Sequence, residues 1–212
     1  MIYFFDLDGT LIDSTKRHYL LMKKILKQYN IRIPSDFDSE FIKYKSDGHS
    51  GKMYLINKLG IYSKQAQEIQ NIWISHIEDE NWLKYDKLYD DTKDVLKKLF
   101  GKKVYYLTSR KNYQGTINEI WKLGLDKYCE KCIVVEPQNT YNAKASVLKN
   151  YNNRYHEECI MIGDTEIDYN AAIECNMQYY ILNRGFRTKR FWDNKGVVSY
   201  PDFGYLKVRG DL

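Results

Sequence analysis

Short apolar segments alternate with helical patterns along much of the chain. Residues 2–5 (Ile-Tyr-Phe-Phe) are too few for a helix and favour β-structure, so they predict a buried strand. Four later segments of the same character are predicted as strands at 103–107, 132–135, 159–162 and 178–182. Because helical patterns separate these strands, the sequence predicts an α/β fold with a parallel sheet covered on both faces.

Residues 15–85 interrupt this alternation, since their apolar positions recur at helical spacing and predict no strand. We expect four helices there, the last beginning near Ser63 and extending as far as Trp82. The predicted architecture is therefore a Rossmann-like, doubly wound core formed by residues 1–14 and 86–212. An all-helical cap is inserted at 15–85.

Composition favours a folded, water-soluble protein. The chain has 212 residues, of which 43% are hydrophobic and 29% are charged. No window approaches the roughly 18 apolar residues of a membrane helix, so we expect no membrane association. The first apolar run meets Asp6 too early for a signal peptide, which predicts a cytoplasmic protein. The sequence does not predict an oligomeric state.

Most of the formal net charge of +5 lies near the C-terminus. Residues 183–212 carry seven basic residues, namely Arg184, Arg187, Lys189, Arg190, Lys195, Lys207 and Arg209, and three acidic ones. Phe186, Phe191 and Trp192 are interleaved with them. Basic and aromatic side chains together can bind nucleic-acid ends. We favour instead a solvated terminal helix whose aromatic side chains pack on the core, with a nucleic-acid partner as the weaker alternative.

Polar groups directly follow three of the predicted strands. They are Asp6 and Asp8 after the first strand, Thr108, Ser109 and Arg110 after the second, and Gly163 and Asp164 after the fourth. In a parallel sheet the carboxyl ends of the strands form one edge, where ligands bind. These groups are therefore expected to meet, with the inserted helices lying over them as a lid.

Carboxylates dominate this expected cluster. Asp6, Asp8, Asp164 and Asp168 would disfavour one another's ionisation unless a cation offset their charge. Oxygen ligands with room for water suit Mg²⁺. Lys144 and the amides of nearby helix N-termini add positive potential, so the pocket suits a phosphate dianion beside a divalent ion.

The order and spacing of these groups resemble the four motifs of the haloacid dehalogenase superfamily. The matching residues are Asp6-Leu-Asp8-Gly-Thr-Leu11, a hydrophobic strand ending at Thr108, Lys144, and Gly163-Asp164-Thr-Glu-Ile-Asp168. Similarity extends through the helical cap and covers residues 1 to about 187. The chain looks like the phosphatase branch with a helical C1-type cap, and is similar to phosphoglycolate phosphatases.

The resemblance implies a role for each matching residue. Asp6 is the nucleophile that forms an aspartyl-phosphate, and Asp8 is the general acid and then the general base. Thr108 and Lys144 bind the phosphoryl group. Ser109 and Arg110 follow as further substrate-binding candidates, although Arg110 could instead lie on the surface.

The same resemblance implies Mg²⁺ as the cofactor. Asp164 binds the ion together with the Asp6 carboxylate and the backbone carbonyl of Asp8. Asp168 either supports the metal shell or orients Lys144.

Asp8 narrows the reaction class. Relatives that dehalogenate lack this second acid, and relatives that cleave carbon–phosphorus bonds resemble Asp-x-Ala at these positions. The leading hypothesis is a Mg²⁺-dependent phosphatase acting on a small phosphorylated metabolite. The alternatives are a nucleotide or nucleic-acid-end phosphatase, a sugar-phosphate mutase, and a catalytically silent binding module of the same fold.

Substrate specificity is not encoded in a motif of the cap. Lys45, His49 and Lys52 flank a glycine turn, a position where relatives often place substrate-contacting groups. We expect a solvated loop there, with substrate contact as the alternative. Trp73 and Trp82 are expected to pack in a core rather than to stack on a ligand.

Overall fold

The computed structural model describes residues 1–136, 140–155 and 157–206. The described strands are β1 (Ile2–Phe5), β2 (Ile12–Asp13), β3 (Lys87–Leu88), β4 (Lys103–Thr108), β5 (Lys131–Val134), β6 (Cys159–Gly163) and β7 (Gln178–Ile181). Five of them form a sheet in the order β5-β4-β1-β6-β7, and all its pairings are parallel. The predicted parallel sheet is confirmed, with the first strand at its centre.

Helices cover both faces of this sheet. The described helices are α1 (Thr15–Gln28), α2 (Phe37–Ser46), α3 (Gly51–Asn57), α4 (Ser63–His76), α5 (Glu80–Leu83), α6 (Thr92–Lys98), α7 (Tyr113–Lys122), α8 (Ala143–Tyr155), α9 (Glu166–Glu174) and α10 (Lys189–Asp193). Within the described ranges, none of them combines the length and apolar character needed to cross a membrane.

The central strand shows why its sequence is apolar at every position. Tyr3 and Phe5 pack into a core on one face of the sheet, and Ile2 and Phe4 pack into a second core on the other face. Successive strand residues point to opposite faces, so a strand buried on both faces has no polar alternation. All four side chains are buried.

Helices α1 to α5 pack around a separate apolar cluster that includes Leu21, Phe41, Tyr54 and Trp73. Trp73 is buried in it and Trp82 packs against its edge, as predicted for these two rings. The chain enters this helical segment after β2 and leaves it into β3. These two short strands pair antiparallel, a feature that the sequence analysis did not predict.

One local prediction was wrong. The helix predicted to reach Trp82 ends at His76, and Trp82 lies in the separate helix α5. The turn between them carries Glu78, which accepts a hydrogen bond from the backbone N–H of Lys111 before α7. Further along the chain, residues 197–200 form no regular strand. Val197 packs on Trp192 instead, and only Tyr200 makes an isolated bridge with Leu182.

Candidate active site

Lys144 joins two carboxylates at the carboxyl edge of the sheet. Its Nζ lies 2.6 Å from Oδ1 of Asp6, which follows β1, and 2.6 Å from Oδ1 of Asp168, in the first turn of α9. All three side chains are buried. Lys144 is placed at the start of α8, where Asn142 Oδ1 accepts a hydrogen bond from its backbone N–H at 3.0 Å.

Asp164, directly after β6, completes this strand-end cluster of Asp6, Lys144, Asp164 and Asp168. Its Oδ2 accepts a 2.5 Å hydrogen bond from the backbone N–H of Phe186. Its Oδ1 is buried and has no hydrogen-bond partner within the described residues. Gly9 and Gly185 pass so close that a Cβ on either would collide with this carboxylate, and Gly9 also has a φ of +79°.

The strand-end cluster carries more negative than positive charge. Single carboxylate oxygens of Asp6, Asp164 and Asp168 all lie within 4.8 Å of one another. Burial, followed by the charges of Asp6 and Asp168, raises the pKa of Asp164 well above its usual value. Burial raises the pKa of Asp6 to about 7, although Lys144 opposes the shift. An orphaned buried oxygen among oxygen donors fits a hard divalent cation such as Mg²⁺.

Asp168 is held in place by hydrogen bonds from both sides. Its Oδ1 accepts from Lys144, and its Oδ2 accepts from the backbone N–H of Thr165 at 3.0 Å and from the Thr165 hydroxyl at 2.9 Å. Of its two predicted roles, this geometry supports the orientation of Lys144 more directly than metal ligation.

A cleft of about 320 Å³ opens above the strand-end cluster. It brings together the predicted catalytic and substrate-binding residues, which are Asp6, Asp8, Thr108, Ser109, Arg110 and Lys144. Thr108 ends β4 and is buried, whereas Ser109 is half-buried. On the opposite side the cleft is bordered by the helical segment, so the two parts of the chain enclose one space.

Asp8 is paired with two arginines. Arg110 contacts it through two hydrogen bonds, from Nε to Oδ2 at 2.8 Å and from Nη2 to Oδ1 at 2.9 Å. Arg17, from α1, donates a further short hydrogen bond to Oδ1. Although burial alone raises the pKa of Asp8, the charges of Arg110 and Arg17 hold it well below its usual value.

These pairs belong to a larger arginine network of Asp8, Arg17, Asp86, Arg110 and Glu119. Arg17 Nε lies 3.3 Å from Asp86, and Arg110 contacts both Asp86 and Glu119. Arg110 is only 3% exposed, so the alternative that it lies on the surface was wrong. The reason is physical, because three carboxylates surround its guanidinium and offset the cost of burial.

The helical segment borders the cleft with His18, Trp73, Ile74 and Ile77, and Phe186 adds a ring from the segment after β7. Glu78 joins the segment to the opposite side of the cleft. Its Oε2 accepts hydrogen bonds from the backbone N–H groups of Lys111 at 2.7 Å and Asn112 at 2.6 Å.

The expectation of a solvated loop fails for Lys45. Its ammonium lies 2.8 Å from Nδ1 of His18 and packs on three aromatic rings. The chain folds this way because Ser46 and Thr188 are joined by a backbone hydrogen bond of 3.1 Å, which holds the end of α2 against the core. His49 is exposed and stacks on Tyr44, and Lys52 is half-buried.

Sequence reasoning missed several residues of the site. Arg17 carried a usable signal, since it lies four residues before Leu21 on the buried face of α1, where a cation needs a partner. Asp86, Glu119 and Phe186 stand in no motif, and their positions depend on segments that are distant along the chain.

The described part of the basic C-terminal stretch is largely paired and packed. Arg184, Arg187 and Lys189 make salt bridges with Asp91, Glu166 and Asp193, respectively. Trp192 is buried, which removes it as a stacking platform. This packing supports the interpretation that the aromatic residues anchor the stretch to the core. Lys207 and Arg209 lie outside the described residues.

Comparison with known proteins identifies one family. A family model described as haloacid dehalogenase-like hydrolase matches residues 3–182. No curated protein sequence matches the chain.

Solved structures share the fold. A haloacid dehalogenase-like hydrolase from Streptococcus pneumoniae is 21% identical with a TM-score of 0.71, covering 93% of this chain and 91% of its own. A predicted phosphatase from Clostridium acetobutylicum is 19% identical with a TM-score of 0.66, covering 92% and 90%. A predicted phosphoglycolate phosphatase from Haemophilus somnus is 17% identical with a TM-score of 0.71, covering 95% and 94%.

Proposed function

Because the chain belongs to the haloacid dehalogenase-like hydrolase family, we propose that it is a Mg²⁺-dependent phosphatase that hydrolyses a small phosphomonoester through a phosphorylated Asp6. One observation carries this proposal. The Lys144 ammonium bridges Asp6 and Asp168 beside Asp164, at the base of a cleft that the helical segment covers. The phosphatases named among the similar structures support the same activity.

In the first step, a carboxylate oxygen of Asp6 attacks phosphorus and the bond from phosphorus to the leaving oxygen breaks. Lys144, in contact with Asp6, offsets negative charge as the two anions approach. Asp8, which is ionised in the free protein, takes up one proton from solvent when the ester binds and gives it to the leaving oxygen. Both Asp8 oxygens accept hydrogen bonds from arginines, so the bound ester has to displace one of these contacts before Asp8 can carry that proton.

In the second step, Asp8 acts as the base. It removes a proton from a water molecule whose oxygen attacks the phosphorus of the phosphorylated Asp6. The bond between phosphorus and the Asp6 oxygen breaks, which regenerates the carboxylate and releases inorganic phosphate. Arginine contacts that keep Asp8 ionised suit it to this step.

The carboxylates of Asp6 and Asp164, with the backbone carbonyl of Asp8, would hold Mg²⁺. The orphaned Oδ1 of Asp164 is the group that most needs such a partner. When bound, the ion supplies positive charge that stabilises the phosphoryl oxygens. We also place the reaction in the cytoplasm, because all four cysteines, each within the described residues, are free thiols.

The test is phosphate release from p-nitrophenyl phosphate, measured with Mg²⁺ and with a chelator. We expect Asp6→Asn to lower kcat by about 10³-fold or more, because the amide cannot form the phosphorylated intermediate. Asp94→Asn, at an exposed position on α6, is the matched control and keeps full activity.

Other outcomes identify the alternatives. Full activity in Asp6→Asn, or in chelator, contradicts the proposal. Conversion of one sugar-phosphate isomer into another without net phosphate release indicates a mutase. Preferential turnover of nucleotides or phosphorylated oligonucleotides indicates the nucleic-acid alternative. A chain that binds phosphate esters without turning any of them over is a binding module.

A further inference from the structure

Lys45 is a half-buried cation without a carboxylate partner among the described residues. Its Nζ lies 4.6 Å from the ring centre of Trp73, 5.0 Å from that of Phe186 and 5.7 Å from that of Phe41. The one polar side chain that it contacts among the described residues is His18, at 2.8 Å. No acidic side chain in the described ranges lies within salt-bridge distance of it.

This contact fixes the state of His18. An ammonium can only donate, so Nδ1 of His18 accepts and the ring proton is on Nε2. Burial, with the charges of Lys45 and Arg17, lowers the pKa of His18 and keeps the ring neutral. The ring is also fixed in space, because it stacks on Phe186 at 4.5 Å and Trp73 donates a hydrogen bond to its backbone carbonyl at 3.1 Å.

His18 borders the cleft, and Lys45 lies directly behind it. Trp73 and Phe186, the two rings that lie nearest the ammonium, border the same cleft. Trp73 already donates its N–H to the His18 carbonyl, so His18 offers the one unused neutral N–H donor among the described side chains on this side of the cleft. Its Nε2 makes no hydrogen bond to any described residue.

The positive charge behind His18 is not compensated. Burial lowers the pKa of Lys45 to about 7, and the nearby charges of Arg187 and Arg17 act in the same direction. An anion bound beside His18 would raise that pKa again and keep Lys45 charged. Arg17 and Arg110 differ, since both are paired with carboxylates of the arginine network. The charge that is left for a ligand therefore lies at the His18–Lys45 pair.

We propose that His18 is a specificity-determining residue that donates its Nε2–H to a second anionic group, carried by the leaving alcohol of the substrate. Lys45 is the positioning residue, because it fixes the tautomer of His18 and supplies the charge that the anion balances. This inference rests on the proposed phosphatase function, of which it specifies the substrate class.

Binding of non-hydrolysable phosphonates tests the inference without turnover. We compare 3-phosphonopropionate with its carboxamide, which has the same shape but no second charge, by calorimetry in the presence of Mg²⁺. The protein is expected to bind the acid about tenfold more tightly than the amide. Ethane-1,2-bisphosphonate distinguishes the two sources of the anion, since tighter binding than the carboxylate indicates a second phosphate.

Two variants test whether the preference for the acid over the amide depends on His18 and Lys45. Lys45→Met removes the charge, and His18→Phe keeps the stacked ring but removes the N–H donor. Each is expected to reduce the tenfold preference to about twofold or less. Lys43→Met, two residues before Lys45 on the exposed face of α2, is the matched control and keeps the preference.

A double variant that combines His18→Phe with Lys45→Met tests whether Lys45 acts by positioning His18 or has an effect of its own. If Lys45 acts through His18, then Lys45→Met has no further effect on the preference once His18 is Phe. The ratio of kcat/KM for the phosphate esters of 3-hydroxypropionate and its amide should follow the same pattern. Additive losses in the double variant overturn the positioning role.

Two results separate failure of this inference from failure of the proposed function. Equal binding of acid and amide by the natural protein, or a preference that survives in His18→Phe, overturns the inference alone. Absence of turnover with every phosphomonoester overturns the function, while the binding comparison still decides the role of His18. If His18→Phe does not fold, Lys45→Met, which removes a half-buried charge, decides the outcome.

Discussion

The strand-end cluster and the His18–Lys45 pair face the same cleft with opposite imbalances of charge. At the strand ends, Lys144 alone offsets the carboxylates of Asp6, Asp164 and Asp168. On the helical side, Lys45 has no acidic partner among the described residues. Since charges withdrawn wholly or partly from water are costly unless they are paired, each side lacks a different partner. A metal cation fits the first, and an anionic group of the substrate fits the second.

The arginine network lies between these two regions and is nearly balanced. Its carboxylates, from Asp8, Asp86 and Glu119, surround the guanidinium groups of Arg17 and Arg110. It needs no external ion, so its contribution is to hold Asp8 and to join the helical segment to the core. The strand-end cluster and the His18–Lys45 pair thus carry charge that is left to bind ligands, whereas the charge of the arginine network organises the protein.

The largest expected effect comes from Asp164→Asn. It should lower phosphate release by about 10³-fold, because the orphaned carboxylate oxygen is replaced. Mg²⁺ is expected to raise the Tm of the natural protein and to leave that of the variant unchanged. Asp94→Asn is the control. An equal Mg²⁺-induced shift in Tm for both proteins would contradict the assignment of the metal site.

The next largest effect is a loss of stability when the arginine network loses one of its cations. Arg110→Met leaves Asp8, Asp86 and Glu119 with Arg17 as their single cation, so the free energy of unfolding should fall by about 3–5 kcal/mol. Urea denaturation measures this loss, and Arg190→Met, at an exposed position, is the control. A loss below about 1 kcal/mol would mean that the network contributes little to folding.

The smallest effect is a change in the pH dependence of stability at Lys45. In the unfolded chain a lysine has a pKa near its ordinary value of about 10.4, whereas folding lowers the pKa of Lys45 to about 7. Between these values the unfolded chain binds a proton that the folded protein does not, so this group makes stability rise with pH.

Lys45→Met removes that contribution and should flatten the rise between pH 7 and 10 by up to about 1.4 kcal/mol per pH unit. The groups that face the ammonium are His18 from α1, Trp73 from α4, and Phe186 and Arg187 after β7, with Asp8 across the cleft. Denaturation curves at several pH values measure the slope. Lys43→Met should keep the natural slope, and an unchanged slope in Lys45→Met would show that its ammonium is not desolvated.

The sequence predicts the sheet and the strand-end cluster for the same reason. Strands buried on both faces are continuously apolar, so the first polar residue after each apolar run marks the end of the strand. The parallel topology then brings these strand ends to one edge of the sheet. The residue pattern alone therefore places Asp6, Thr108 and Asp164 at one edge. The resemblance to the family motifs adds Lys144, through its place in their order.

The rest depends on packing between distant segments. Lys45 was expected to be solvated because a lysine beside a glycine turn usually is, whereas the docking of α2 against the core leaves it half-buried. His18 lies 27 residues away from it in the sequence. Arg17 was detectable as a charge on an apolar helix face, but its acidic partners were not. Interactions of this kind leave no local pattern, so substrate specificity was less predictable than reaction class.

The pairing of β2 with β3 has a consequence for access to the cleft. The chain leaves the core at Ile12 and Asp13 and returns at Lys87 and Leu88, and the two crossings are hydrogen bonded side by side. The covalent connection between the helices and the core is therefore one narrow two-stranded ribbon. A swing about that ribbon would separate Glu78 from its two backbone donors, so the ester would enter and the alcohol and phosphate would leave through the same opening.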